Sequence, residues 1–201
     1  MDGSGCGGRA SARAYVVAGA PASGKSLLGV ELSRRAGAAL LDQDVLTGPL
    51  TSVVTDLVGA APGDLDDPRV RSLTRRATYE ALVDTARGCL TAGVSVVLVA
   101  PFTTERSDPG AWAQFVARLG APGGVVLIWV TCPAAELAGR LAARNAPRDG
   151  RKPADLARFL TSGVLDPPAV PHLAVDTTKS VSGQITSLLN PSIPVCSDRL
   201  S

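Results

Sequence analysis

Residues 19–26 read Gly19-Ala20-Pro21-Ala22-Ser23-Gly24-Lys25-Ser26, which fills every fixed position of the pattern G-x-x-x-x-G-K-[ST]. The chemistry open to that spacing is phosphate binding. Glycines allow backbone torsions that a side chain resists, and successive N–H groups then turn into one concavity. A helix start at its rim adds partial positive charge. Lys25 has the reach for β- and γ-phosphates, the Ser26 hydroxyl can ligate Mg²⁺, and Leu27 completes the nucleotide-contacting run. The loop follows the apolar stretch Tyr15-Val16-Val17-Ala18 and precedes a helix-compatible segment. That strand–turn–helix context separates a phosphate loop from a chance glycine turn. The expectation is a bound nucleoside triphosphate with Mg²⁺.

A second reactive group follows the next apolar run, in Leu41-Asp42-Gln43-Asp44-Val45-Leu46. Two carboxylates at i, i+2 on the carboxyl edge of a parallel sheet lie where such folds bind ligands. One can help hold Mg²⁺ while the other accepts the proton of an attacking hydroxyl. The competing reading makes Asp44 a helix cap. The third apolar run, Val97-Leu98-Val99-Ala100-Pro101-Phe102, carries no acid at its end, and none follows until Glu105. That argues against a motor-type ATPase and leaves metal positioning to Ser26 and Asp42.

Arginine supplies the rest. Arg140 and Arg144 share a helix face at i, i+4, and Arg148, Arg151 and Lys152 follow around Pro147 and Gly150. A mobile basic lid over about 144–160 has this composition. Arg144 and Arg148 would then face the transferring phosphoryl group and Arg140 the nucleotide, with water excluded. The alternative is a solvated helix face. Arg71 and Arg75, again at i, i+4, could meet an anionic substrate, or lie on a surface face. Thr177, in the turn after the last apolar run, can flank the adenine. His172, which opens that run, reads as buried structure rather than a base.

These groups need a scaffold. The 201 residues suit one α/β domain, with 45% apolar residues to build a core and only 3% aromatic ones. Apolar runs at 15–18, 38–41, 94–100, 125–131 and 172–176 are continuous rather than alternating, as in strands buried on both faces of a parallel sheet. Helical patterns fit at about 25–36, 45–58, 68–92, 110–119, 133–146, 153–162 and 180–189. The alternation predicts a right-handed, three-layer α/β/α domain with a five-stranded parallel sheet over 14–189 and a small helical lid. Residues 1–13 and 190–201 read as loose termini.

Net charge is +2 with mixed signs, which gives no stripe for nucleic acid. The 17 arginines outnumber three lysines, a bias that base composition alone can produce. Four scattered cysteines and one histidine have no metal-ligand spacing. Reduced thiols, with no membrane span or signal segment, suggest a cytoplasmic protein, monomer or homodimer.

On these residues the chain resembles the P-loop small-molecule kinases: gluconate kinase, shikimate kinase, chloramphenicol phosphotransferase and the ATP-binding proteins grouped with them. The resemblance covers about 14–189 and rests on the loop 19–26, the Asp42/Asp44 pair, the acid-free third strand and the Arg144, Arg148 and Arg151 cluster. It implies ATP and Mg²⁺ as cofactors, Asp42 toward metal and Asp44 toward the acceptor hydroxyl. The chain has no Gly-Gly-Gly loop after strand three, unlike shikimate kinase, and differs from gluconate kinase around Pro101–Arg106. The reading is transfer of the γ-phosphate to a hydroxyl of a small metabolite or antibiotic. Its rivals are a nucleotide-binding regulatory protein with little turnover and a kinase of a macromolecular hydroxyl.

Overall fold

The computed structural model describes residues 11–64, 67–144, 159 and 162–189. The continuous valine and leucine runs form five parallel strands, β1 (Ala14–Gly19), β2 (Ala39–Asp42), β3 (Val96–Val99), β4 (Val125–Thr131) and β5 (Leu173–Asp176), ordered β2-β3-β1-β4-β5. From β1 the chain runs outward to edge strand β2, returns to β3, then crosses β1 to reach β4. The direction therefore reverses about β1, and its carboxyl end is the switch point where ligands bind in such sheets. Residues 19–24 emerge there.

Helices α1 (Lys25–Ala36), α2 (Gln43–Leu57), α3 (Pro68–Thr91), α4 (Thr103–Ser107), α5 (Pro109–Leu119), α6 (Ala134–Arg144) and α7 (Val181–Leu189) complete the described chain. One sheet face packs Val17, Val97, Val99, Ile128 and Val175 against Leu28 and Leu32 of α1 and Ile185 and Leu188 of α7. The other packs Val16, Leu98 and Leu127 against α3 and α5. A small third cluster of Ala20, Cys132, Leu137 and Leu141, joined by Phe159, Val164 and Leu165, lies under the loop. The three layers and five strands agree with the sequence expectation.

The differences have local causes. Helix α2 starts at Gln43 because Asp42 caps it, its Oδ1 accepting Asp44 N–H at 3.0 Å. Asp44 is therefore not the cap. Helix α4 is absent from the sequence expectation because five residues are too few to show a period. Ala12 and Arg13, read above as the end of a loose terminus, are held in place. Ala12 is buried, and Arg13 N–H donates to Ser95 Oγ while its Nε donates to Gly123 O, both at 3.0 Å. His172 is only half-buried and precedes β5, its Nδ1 lying 2.8 Å from Val170 O. The helix expected over 153–162 falls mostly outside the described residues.

Candidate active site

The turn after β1 is tight. Ser23 N–H donates to Ala20 O at 3.2 Å, and Ala22 (φ 60°) and Gly24 (φ 99°) take left-handed torsions. Only glycine fits at position 19, since a Cβ there would meet Ser23 Oγ and Val130 O at 2.9 Å. Helix α1 begins at Lys25 with no side chain capping its first N–H groups and no acid in its first turn. That leaves an amide-rich, electropositive rim. Lys25 Nζ donates to Ala20 O at 2.7 Å and so arches over the turn. The Ser23 hydroxyl is buried with no hydrogen-bond partner among the described residues.

Behind the turn, the loop after β5 is fastened to it. Thr177 Oγ1 donates to Ser23 O at 2.7 Å, and Arg140 Nη1 donates to Thr177 Oγ1 at 3.1 Å. Arg140 Nε is meanwhile held by Glu136 at 3.0 Å. Thr177 and Arg140 thus brace the loop's backbone at Ser23, just before α1 begins.

Ser26 and Asp42 meet. Ser26 Oγ donates to Asp42 Oδ2 at 2.7 Å, although they belong to different elements. Asp42 ends β2 paired with Val99 of β3, so the sheet fixes its height, and it is buried. A hydroxyl and a carboxylate side by side form a hard-oxygen set of the kind Mg²⁺ takes while keeping several waters. Among the described residues no cluster of three or more His, Cys, Asp or Glu could hold a metal alone. The donor set therefore fits an ion whose remaining ligands are phosphate and water. Asp44 sits one helical step beyond, exposed on the first turn of α2.

Across from this edge, β3 ends in a strained corner. Phe102 is fully buried at φ 44°, and its N–H donates to the Tyr79 hydroxyl at 3.1 Å. Tyr79 and Phe102 rings meet edge-on at 6.0 Å. Burial, then the Glu105 charge, pushes the Tyr79 phenol above its ordinary pKa, while Arg75 opposes and Asp44 adds to the shift. Beside it opens a cavity of about 410 Å³ lined by Arg71, Ser72, Arg75, Arg76 and Tyr79 of α3 and by Thr104 and Glu105 of α4. Arg106, 6% exposed, donates to Asp166 O at 2.6 Å and Gly163 O at 3.2 Å and stacks 4.6 Å over the Trp129 ring.

The structure thus gathers Gly19–Ser26, Asp42 and Asp44 at one edge, with Thr177 and Arg140 behind, and places Arg71 and Arg75 on the cavity wall. Leu27 is exposed on the first turn of α1, beside Ser26. The backbone of Arg144 ends α6; its side chain, Arg148, Arg151, Lys152 and nearly all of the expected lid lie outside the described residues. Glu105 and Arg106 lie on a helix of five residues, and Phe102 caps it, too short a stretch for any sequence period to mark them.

The sequence matches the AAA_33 family, described as an AAA domain, over residues 15–162, and the chain belongs to that family. No curated protein shows significant sequence similarity to it. Among solved structures it is similar to a candidate kinase from Chloroflexus aurantiacus J-10-fl, at 23% identity and TM-score 0.63, covering 92% of this chain and 97% of that one. It is also similar to a sugar kinase from Janibacter sp. HTCC2649 (19%, TM-score 0.58, covering 89% and 93%). A third is a gluconokinase from Sinorhizobium meliloti 1021 (18%, TM-score 0.55, covering 90% and 91%). The fold is thus the α/β P-loop fold found in those kinase structures. Among the described residues no helix is long and apolar enough to cross a membrane.

Proposed function

We propose that the protein is an ATP-dependent phosphotransferase acting on a hydroxyl of a small molecule. The observation that carries this reading is the 2.7 Å bond from Ser26 Oγ to Asp42 Oδ2, which brings a complete phosphate loop and a buried carboxylate to one point. Ser26 and Asp42 would hold Mg²⁺, which when bound supplies charge neutralisation to the phosphate oxygens. The amides of residues 20–26 and the start of α1 bind the phosphates, and Lys25 offsets charge on the group in transfer. Asp44, on the opening side of Asp42, orients the acceptor hydroxyl and takes its proton as the hydroxyl oxygen bonds to phosphorus and the bond to the nucleotide breaks. Thr177 and Arg140 hold the loop in register for this. The lid arginines Arg144 and Arg148 are proposed to add charge from the open side.

The test is ATP consumption against a panel of sugars, sugar acids, nucleosides and antibiotics, with Lys25→Ala beside the natural protein. Loss of a preorganised charge partner is expected to cut transfer by about 10²–10³, with the far-ultraviolet circular dichroism unchanged. Near-natural turnover by Lys25→Ala would refute the assignment.

A further inference from the structure

The cavity between α3 and α4 has walls of opposite charge. Arg71 and Arg75 stand one turn apart on α3 and both line it. Arg76 is already paired with Glu80 at 2.7 Å, and Arg69 with Asp67 at 2.8 Å. Among the described residues the Arg71 and Arg75 guanidinium groups have no carboxylate partner within ion-pairing distance. Glu105 and Thr104 face them from α4, and the Tyr79 hydroxyl, already accepting from Phe102 N–H, keeps its own proton to donate. Gln43 Nε2 donates to Thr78 Oγ1 at 3.0 Å, which fastens the first turn of α2 beside this stretch of α3. Asp44, the next residue, is near enough for its charge to act on the Tyr79 phenol of the cavity wall.

Resting on the phosphotransferase reading above, we propose that the acceptor is an anion: a polyhydroxylated compound bearing a carboxylate or phosphate. Its anionic group bridges Arg71 and Arg75, whose forked donors at i, i+4 suit a shared oxyanion. Glu105 accepts from the acceptor's other hydroxyls, and the hydroxyl to be phosphorylated lies toward Asp44. A neutral acceptor would leave the single charge of Glu105 to face two exposed arginines across the cavity. Glu105 with Thr104 sets the spacing between anionic group and reacting hydroxyl, and so acts as a specificity residue.

The experiment uses the full chain with Mg²⁺ and a non-hydrolysable ATP analogue, probed by calorimetry with D-gluconate, D-glucose 6-phosphate and D-glucose. At least one anion is expected to bind ten-fold or more tightly than glucose, with affinity falling as salt rises. Arg71→Gln and Arg75→Gln should each weaken that anion about ten-fold, and Glu105→Gln should narrow the preference among polyols. In transfer assays the arginine changes should raise KM more than they lower kcat. Gluconate against glucose 6-phosphate decides between carboxylate and phosphate. Equal affinity for glucose, no binding of either anion at 10 mM (a concentration on the order of ten times a typical upper KM), or anion affinity unmoved in the double arginine variant overturns the proposal. Analogue binding in each sample separates the two readings. If the nucleotide analogue also fails to bind, the phosphotransferase reading falls. If it binds normally, only the anionic acceptor does.

Discussion

Asp42 uses one oxygen for architecture and the other for the Ser26 hydroxyl. Asparagine caps helices about as well as aspartate but is a poorer metal ligand. Asp42→Asn should therefore keep stability within about 1 kcal/mol while raising the Mg²⁺ needed for half-maximal activity. Asp44→Asn should lower the rate at saturating acceptor by about 10²–10⁴, the usual value of general-base help, with nucleotide affinity kept. Transfer rate against Mg²⁺ for both variants checks the pair, and a full-rate Asp44→Asn would remove Asp44 from the chemistry. Tyr79 offers a test without turnover. Tyr79→Phe leaves the buried Phe102 N–H without its acceptor, at a cost of about 1–3 kcal/mol, read by denaturant melts with unchanged slope. Because burial raises the phenol's folded pKa, its stabilisation is fully present below the ordinary tyrosine value. It should fade as alkali carries pH through that range and up to the folded pKa. The stability gap between the natural protein and the Tyr79→Phe variant should thus narrow at high pH.

At the scale of elements, most strands and helices were legible because their apolar runs have the right length and texture. Helix α2 shows where that reading stops. Its buried side is Thr47, Thr51 and Thr55, each hydroxyl donating to the carbonyl four residues back, at 2.8, 3.0 and 2.9 Å. Those bonds satisfy the hydroxyls locally, so threonines can be buried while Leu50 and Leu57 stay 73% and 80% exposed. Periodicity finds such a helix but not the side it presents inward. Helix α1 carries a constraint of another kind. A Cβ on Gly29 would come within 2.6 Å of Val99 Cγ2 and 3.2 Å of Leu40 Cδ1, so the helix lies against β3 with no room to spare. Gly29→Ala gains helix propensity worth about 1 kcal/mol but overpacks the core by about 1–3 kcal/mol. The expected net is destabilisation; a Gly29→Ala variant that melts higher than the natural protein would show that α1 can shift outward freely.

For the whole molecule, what was readable is contiguous and what was not is assembled. The loop 19–26 and the Asp42/Asp44 pair each fit inside one short window, and the sheet need only bring their ends together. The acceptor wall joins Arg71, Arg75 and Tyr79 to Glu105 across the full length of α3 and β3, and Arg106 reaches a further 57–60 residues to Gly163 and Asp166. Such meetings follow from the strand order, which no local pattern encodes. The same assembly makes ligand binding a global event: loop, β2 edge and β5 turn must all be folded for the nucleotide site to exist. A ligand that binds only the folded chain stabilises it by about 2.7 kcal/mol at a hundred times its Kd. For a domain of this size that is a rise in Tm of about 5–10 °C. An ATP analogue should give that rise with Mg²⁺ and less without it. Lys25→Ala should diminish the rise through weaker phosphate contact, and Asp42→Asn should diminish chiefly its Mg²⁺-dependent part. Arg75→Gln should leave the nucleotide-induced rise intact, because its cavity lies beyond the phosphate loop. A Tm indifferent to the analogue at millimolar concentration would mean that residues 19–26 bind no triphosphate.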